Sequence, residues 1–282
     1  MGLRIQNNID AFNTHRQLQI SSASASRSME KLSSGFRINR AADDAAGLAI
    51  SEQMRGQIGG LDQAQRNAQD GVSLVQTAEG SLNEVHSMLQ RLRDLKVQFN
   101  NGTLDSSDQD AIADEVAQIG QELGDIASQT SFNGNKLLQG ATFTFQVGAN
   151  DGETITTTAV TLSGAIASGG LSEITGLSDA AAAKAALDTG ALSSIDTVDD
   201  AIKNVSTARA NFGAVQNRLE HRLNNLATYQ ENLTASESRI RDVDMAAEMT
   251  KFTKENILQQ AGTSMLAQAN QAPQLVLSLL RG

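Results

Sequence analysis

VDDAIKNVSTARANFGAVQNRLEHRLNNLATYQENLTASESRI, residues 198–240, carries the strongest periodic signal in the chain. Val198, Val205, Phe212, Leu219, Leu226, Leu233 and Ile240 stand seven residues apart. With 40% of the chain apolar, an unbroken run of seven such positions arises by chance from a given start about 0.2% of the time. The repeat therefore predicts a long helix packed along one seam. Ser194 and Asp196 place a capping hydroxyl and a dipole-matched carboxylate at its start.

A partner for that seam lies upstream. Between Asp44 and Phe99, Met54, Leu61, Ala68, Val75, Leu82 and Leu89 repeat every seven residues, and Ala64, Gly71, Ala78, Val85, Leu92 and Phe99 fill the positions three later. Such a helix runs about 80 Å at 1.5 Å per residue, and Asn100-Asn101-Gly102 ends it. After Leu104, Ile112, Val116, Ile119, Leu123 and Ile126 form a shorter stripe, with Asp105, Asp108 and Asp110 crowding its start. NGNK at 133–136 reads as a turn. The period then changes to two: Phe143, Phe145 and Val147 alternate with polar residues, Asn150-Asp151-Gly152 turns, and a Thr-rich run returns to Val160. The Gly/Ala/Ser-rich stretch 163–193 reads as a small module with a short helix at AAAAKAAL, 180–187.

The two ends are helical but thin. Ile5, Ile9 and Phe12, then Met29, Leu32 and Phe36, keep helical spacing at the front, and Leu258, Ala261 and Met265 do so at the back. Narrow Ala-rich stripes bury too little surface alone to offset ordering entropy. They are expected to order only against another helix, either each other or a second copy of the chain. Met245, Met249 and Met265 read as core filler.

Composition narrows the function classes. Among 282 residues there are 8 Phe, 1 Tyr and no Trp, and 1 proline where average usage predicts roughly fourteen. That balance favours long helices over several compact cores. With no cysteine, disulfides, thiolate metal sites and a Cys nucleophile are excluded. The net charge of −10 disfavours nucleic acid and anionic membrane as partners. The charge is uneven: residues 1–43 are net +3 and 240–282 net zero, leaving the middle at −13. The front lacks the apolar run of a secretory signal, and no stretch approaches the roughly 18–20 residues that span a bilayer. Residues alone point to a soluble cytoplasmic protein.

Catalytic patterns are missing. His15, His86 and His221 have no second ligand at metal spacing, and there is no HExxH, GxxxxGK[ST] or GxSxG. The acid pairs Asp43-Asp44, Asp114-Glu115 and Asp199-Asp200 fit helix starts and solvated faces better than acid–base chemistry. No enzyme activity, metal or cofactor is expected.

The segment LSSGFRINRAADDAAGLAI, Leu32 to Ile50, combines a glycine able to end a helix, the basic stretch Arg37 to Arg40, and Asp43-Asp44 before the next helix. It resembles the N-terminal signature of bacterial flagellins. The likeness continues through ISEQMRGQIGGLDQAQRNAQDGVSLVQTAEGSLNEV and resumes at ARANFGAVQNRLEHRLNNL and SRIRDVDMAAEMTKFTKENILQQAGTSMLAQANQAPQLVLSLL, covering roughly residues 3–140 and 195–281.

The resemblance implies a mainly α fold: a long antiparallel coiled coil or bundle with paired terminal helices and a small β-hairpin insert. Residues 1–43 with 241–282 correspond to the terminal, D0-like coiled coil, 44–140 with 194–240 to the D1-like bundle, and 141–193 to the hairpin and a short variable insert. It implies type III export, extracellular polymerisation into a helical homopolymer for swimming motility, and an export chaperone, cap and hook-junction proteins as partners. The implied polymer contacts are Ile5, Ile9, Phe12, Leu32, Arg37, Arg40, Met265, Leu277, Leu279 and Leu280, with Arg37 and Arg40 set against acidic residues of neighbouring subunits. LQRLRDL resembles the segment read by the vertebrate flagellin-sensing Toll-like receptor, pointing to Arg91 and Leu95 with Glu115 on the next helix. Lys96 and Phe99 depart from the small residues common there. The terminal VLSLL resembles the leucine-rich end read by cytosolic inflammasome sensors. The alternatives are a hook–filament junction protein, which typically departs from DDAAGLAI and LTASESRIRDVDMA, and a flagellin-like enzyme, for which the insert is short and HExxH is missing.

Overall fold

The computed structural model describes residues 8–167, 179–190 and 192–281, with side-chain surroundings given as far as residue 271 and not for residue 180. Ile5 lies outside the described residues, as do the side chains of Leu277, Leu279 and Leu280. The fold is mainly α. Seven helices occur among the described residues: α1 Ile9–Ser34, α2 Ala45–Phe99, α3 Ser106–Gln129, α4 Leu162–Ala167, α5 Ala180–Asp188, α6 Ile195–Arg241 and α7 Met245–Arg281. Four short strands complete it: β1 Ser131–Phe132, β2 Asn135–Lys136, β3 Thr144–Gln146 and β4 Thr154–Thr156. The chain divides into two compact units, one of residues 57–230 and one of 1–56 with 231–282.

The larger unit is built on the two heptad seams. Leu61, Ala64, Ala68, Val75, Ala78, Leu82, Val85, Leu89, Leu92 and Phe99 of α2 are buried, as are Val198, Val205, Phe212, Leu219 and Leu226 of α6. Each buried Leu or Val is worth about 1.5–3 kcal/mol in transfer from water, so the repeat is the main source of this unit's stability. The helices run antiparallel, as three pairs at falling and rising numbers require: Arg93 with Asp199 (2.7 Å), Arg209 with Glu79 (3.7 Å) and Gln65 with Gln230 (2.7 Å). The exposed Arg93–Asp199 and half-exposed Arg209–Glu79 ion pairs contribute roughly 0–1 kcal/mol each and mostly set register. Helix α3 returns along α2 with Ile112, Val116 and Leu123 buried. Its cap is Asp105, whose side chain accepts from the Asp108 N–H at 2.9 Å.

The β pieces sit on this bundle. Strands β3 and β4 pair antiparallel, Thr144 with Thr156, Phe145 with Ile155 and Gln146 with Thr154. The hairpin is pinned to α2 by Asn67 Nδ2 donating to Gln146 O (3.1 Å), and to α6 by Arg222 Nε donating to Val147 O (2.8 Å). Gly71 occupies a heptad position because Phe145 covers it: a Cβ there would lie 3.1 Å from the Phe145 ring and 3.2 Å from Leu219 Cδ1. The turn expected at 133–136 is a second hairpin. β1 and β2 pair Phe132 with Asn135, and Asn133 (φ 49°) and Gly134 (φ 82°) form the two-residue left-handed turn that suits strand twist. The strand returning from Gly152 stops at Thr156, short of Val160.

The described residues between 162 and 192 contribute to the core. Leu162, Ile166, Ala183, Leu187 and Leu192 join one apolar cluster with α2, α3 and α6. Lys96, with only 2% of its surface exposed, donates from Nζ to Leu187 O at 2.7 Å near the C-terminal end of α5, and its ammonium lies 5.3 Å from the Phe99 ring centroid. Burial lowers its pKa against the opposing pull of Asp188. Between the lowered folded value and the ordinary value of 10.5, the unfolded chain binds one more proton than the folded one, so stability rises with pH there. Denaturant titrations from pH 8 to 10.5 should show this rise, and Lys96→Met, similar in volume, should abolish it.

Candidate functional site

In the smaller unit α1 and α7 pair antiparallel. Asn8 Nδ2 donates to Ala269 O at 2.7 Å, Leu18 lies against Gly262 and Phe36 bridges to Asp242. Asn8 also caps α1, its side chain accepting from the Ala11 N–H at 3.1 Å. The covered side of α1 is mostly small: Ala11, Thr14, Ser21, Ala25 and Ser28 are half-buried or buried, with Leu18 and Leu32 between them. Most of the large apolar residues face elsewhere. Ile9, Phe12, Ile20 and Met29 of α1 and Met245, Met249, Ile257, Leu258 and Met265 of α7 are exposed, Phe12 to 71% and Ile257 to 60%.

The expectation that Met245, Met249 and Met265 fill a core is therefore wrong. The narrow helix pair has too little width to cover them. The spacing of Met245, Met249, Ile257 and Met265, in multiples of four, is the available sequence signal, since such rows form a ridge winding slowly round a helix. Ile50, near the start of α2, is also exposed.

The joint between α1 and α2 is closed by its own polar groups. Gly35 ends α1 in the left-handed region (φ 76°), its N–H donating to Lys31 O at 2.9 Å. Arg37 N donates to Arg241 O (2.6 Å), Val243 N donates to Gly35 O (3.0 Å), and the Arg37 guanidinium donates to Ile240 O. Arg40 pairs with Glu30 at 2.9 Å. Both guanidiniums thus have partners within the chain, although each was expected to face an acidic neighbour subunit. Asp43 Oδ2 accepts from the N–H groups of Arg40 (3.1 Å) and Asn39 (3.2 Å), which holds its carboxyl below the ordinary range. Asp44 caps α2 by accepting from Gly47 N at 2.9 Å. Ile38 is fully buried beneath the loop.

A second surface lies on the larger unit. Arg91 Nε donates to Glu115 Oε1 at 2.7 Å, which raises the arginine pKa further. Arg91, Leu95 and Glu115 line one shallow depression with Gln98, Leu104 and Asp108. Leu95 is only 1% exposed, so it packs beneath the depression while Arg91 and Glu115 form its accessible charge. Lys96 and Phe99 also point inward, leaving the outer surface free of their bulk. His86 is held by Gln90 at 3.0 Å. Among the described residues no group of three or more His, Asp or Glu is placed to hold a metal, and no helix is long and apolar enough to cross a membrane.

These features define a helical structural protein whose end helices leave their largest apolar side chains uncovered. Comparison with known proteins identifies the class. The model of the bacterial flagellin N-terminal helical region matches residues 5–142, and that of the C-terminal helical region matches 195–280. A flagellin of Bacillus subtilis (strain 168) is 50% identical over 99% of this chain and 100% of its own length. A flagellin of Halalkalibacterium halodurans is 53% identical over 98% of this chain and 99% of its own. The flagellar filament 33 kDa core protein of Treponema phagedenis is 45% identical over 98% and 99%. A crystal structure of Bacillus cereus flagellin, 33% identical, covers 57% of this chain and 88% of its own with a TM-score of 0.46. The chain belongs to the bacterial flagellin family. Its function is that of a structural subunit of the extracellular flagellar filament.

Proposed function

We propose that the paired terminal helices α1 and α7 are the polymerising surface, and that burial of their outward apolar residues against other copies drives filament growth. The supporting observation is the row of exposed large side chains on a helix pair that buries few of its own. Ile9, Phe12 and Met265 are the leading contacts, with Ile5, Leu277, Leu279 and Leu280 assigned by resemblance. Leu32, half-buried in the α1–α7 seam, supports the surface from within. Arg37 and Arg40 shape the joint and keep further donors for a neighbouring subunit. Residues 1–43 with 241–282 form the terminal domain, 44–140 with 194–240 the bundle domain, and 141–193 the insert. The role is structural and not catalytic. Its route uses an export chaperone, cap and hook-junction proteins.

Deleting residues 240–282 is expected to abolish growth on preformed filament seeds, by electron microscopy, while circular dichroism retains the helices between 44 and 240. A truncated chain that polymerises overturns the assignment.

A second reading concerns the depression around Arg91. Its exposed Arg91–Glu115 pair and the LQRLRDL likeness support recognition by a host Toll-like receptor, with the terminal leucines presented to inflammasome sensors. Arg91→Ala should lower potency in a receptor reporter assay about tenfold, the loss of one charge-assisted contact. Unchanged potency removes Arg91 from the surface.

A further inference from the structure

The described chain has two Asn-Gly steps, Asn101-Gly102 in the loop after α2 and Asn133-Gly134 in the β1–β2 turn. Asn-Gly is the dipeptide in which the following backbone nitrogen most easily reaches the asparagine side-chain carbonyl, because glycine has no Cβ in the way. The two steps are held differently. Asn133 and Gly134 both sit at positive φ in a turn whose flanks are anchored in the core, Phe132 half-buried against it and Leu137 1% exposed. Turning Gly134 N onto the Asn133 side chain breaks that turn and the pairing beside it. Asn101 is exposed. Its carbonyl accepts one long bond, from Leu104 N at 3.3 Å, and its own N–H donates to Gln98 O at 3.0 Å. No hydrogen bond engages its side chain or the Gly102 N–H among the described contacts. A Cβ on Gly102 would meet nothing within 4 Å.

We propose that Asn101 is a site of spontaneous, structure-selected deamidation. Gly102 N, losing its proton, bonds to Asn101 Cγ; the side-chain amide nitrogen takes up that proton and leaves as ammonia, forming a five-membered succinimide. One water then opens either ring carbonyl, giving aspartate or isoaspartate. Water enters, ammonia leaves, and nothing is oxidised or reduced. The product places a new carboxylate in the loop between Gln98 and Leu104, at the lip of the Arg91 depression, and the isoaspartate form lengthens the backbone there. In a filament subunit that remains outside the cell after assembly, the modified fraction grows with filament age.

The test is incubation of the full chain at pH 8.5 and 37 °C with peptide mass spectrometry, following exchange of the amide NH2 for OH at each asparagine. In the folded protein Asn101 is expected to convert at least about tenfold faster than Asn133, and in guanidinium chloride the two rates should converge. Gly102→Ala should suppress conversion at Asn101 without altering the circular dichroism. Equal rates in the folded chain, faster conversion at Asn133, or an unaffected rate in Gly102→Ala would each overturn the proposal.

Discussion

Phe12→Asp is expected to stop filament growth on seeds while leaving the monomer nearly as stable as before. Phe12 is 71% exposed in the single chain, so its replacement removes only the smaller, covered part of its surface there, and the change in unfolding free energy should stay within about 1 kcal/mol. In the polymer the same side chain is expected to be covered. The variant then loses roughly 2–3 kcal/mol of transfer energy and adds the cost of an unpaired carboxylate out of water, several kcal/mol more. Since every added subunit meets the same loss, the critical concentration for growth should rise by orders of magnitude. Sedimentation of seeded samples measures this directly, and Phe12→Leu serves as the apolar control that still assembles. Normal growth by Phe12→Asp would mean that this face of α1 stays in water in the filament.

Phe212→Ala should cost about 3–5 kcal/mol of stability in the larger unit, whereas Leu233→Ala should cost roughly 1–2 kcal/mol or less. Both residues occupy the same heptad position of α6, three repeats apart. Phe212 lies in the bundle core at 4% exposure, with α2 and the insert contributing to the same cluster. Leu233, in the smaller unit, is half-buried. Thermal unfolding of the two variants separates them: a large fall in midpoint for the first and a small one for the second. Equal losses would show that packing of the α6 seam is uniform along its length.

That contrast marks how far the sequence could be read. The seven-residue repeat gave helices α2 and α6 and their buried sides because each step required a partner of the same period. It was blind to depth, since Leu233 and Phe212 are equivalent in pattern and unequal in surroundings. Caps at Asp44 and Ser194 were legible because capping is local chemistry; Ser194 Oγ accepts from Asp196 N at 3.2 Å, whereas Asp105 read only as dipole-matched charge. Why a glycine fills the seam position at 71 was not legible, since the Phe145 ring that covers it comes from more than seventy residues away. The small hairpin around Asn133-Gly134 appeared only as a turn because each strand is two residues long.

Which side of the terminal helices stays uncovered was not legible. Thin apolar stripes at the ends announced helices in need of company, yet the stripe of Ile9 and Phe12 is not the one that meets α7. Small residues let two helices approach closely, so the covered side carries Ala11, Thr14, Ser21 and Ser28 beside Leu18 and Leu32, and most of the bulky residues remain outside. The intrachain partners of Arg37 and Arg40 could not be read, because they depend on how the loop from Gly35 folds back, onto Ile240 and Arg241 for the first and onto Glu30 for the second.

The bond from Asn8 to Ala269 spans 261 positions, and this separation orders events in time. Helices α2 and α3 are joined by a short loop and can meet while the rest of the chain is still absent. The α1–α7 pair cannot begin until Arg241 and Val243, which bond Arg37 and Gly35, exist, and its far end closes a loop of 261 positions, with the corresponding entropic cost and slow formation. A nascent chain, or one threading through a narrow passage, therefore carries its first terminal helix without its mate for most of the journey. Completion of that pair marks arrival.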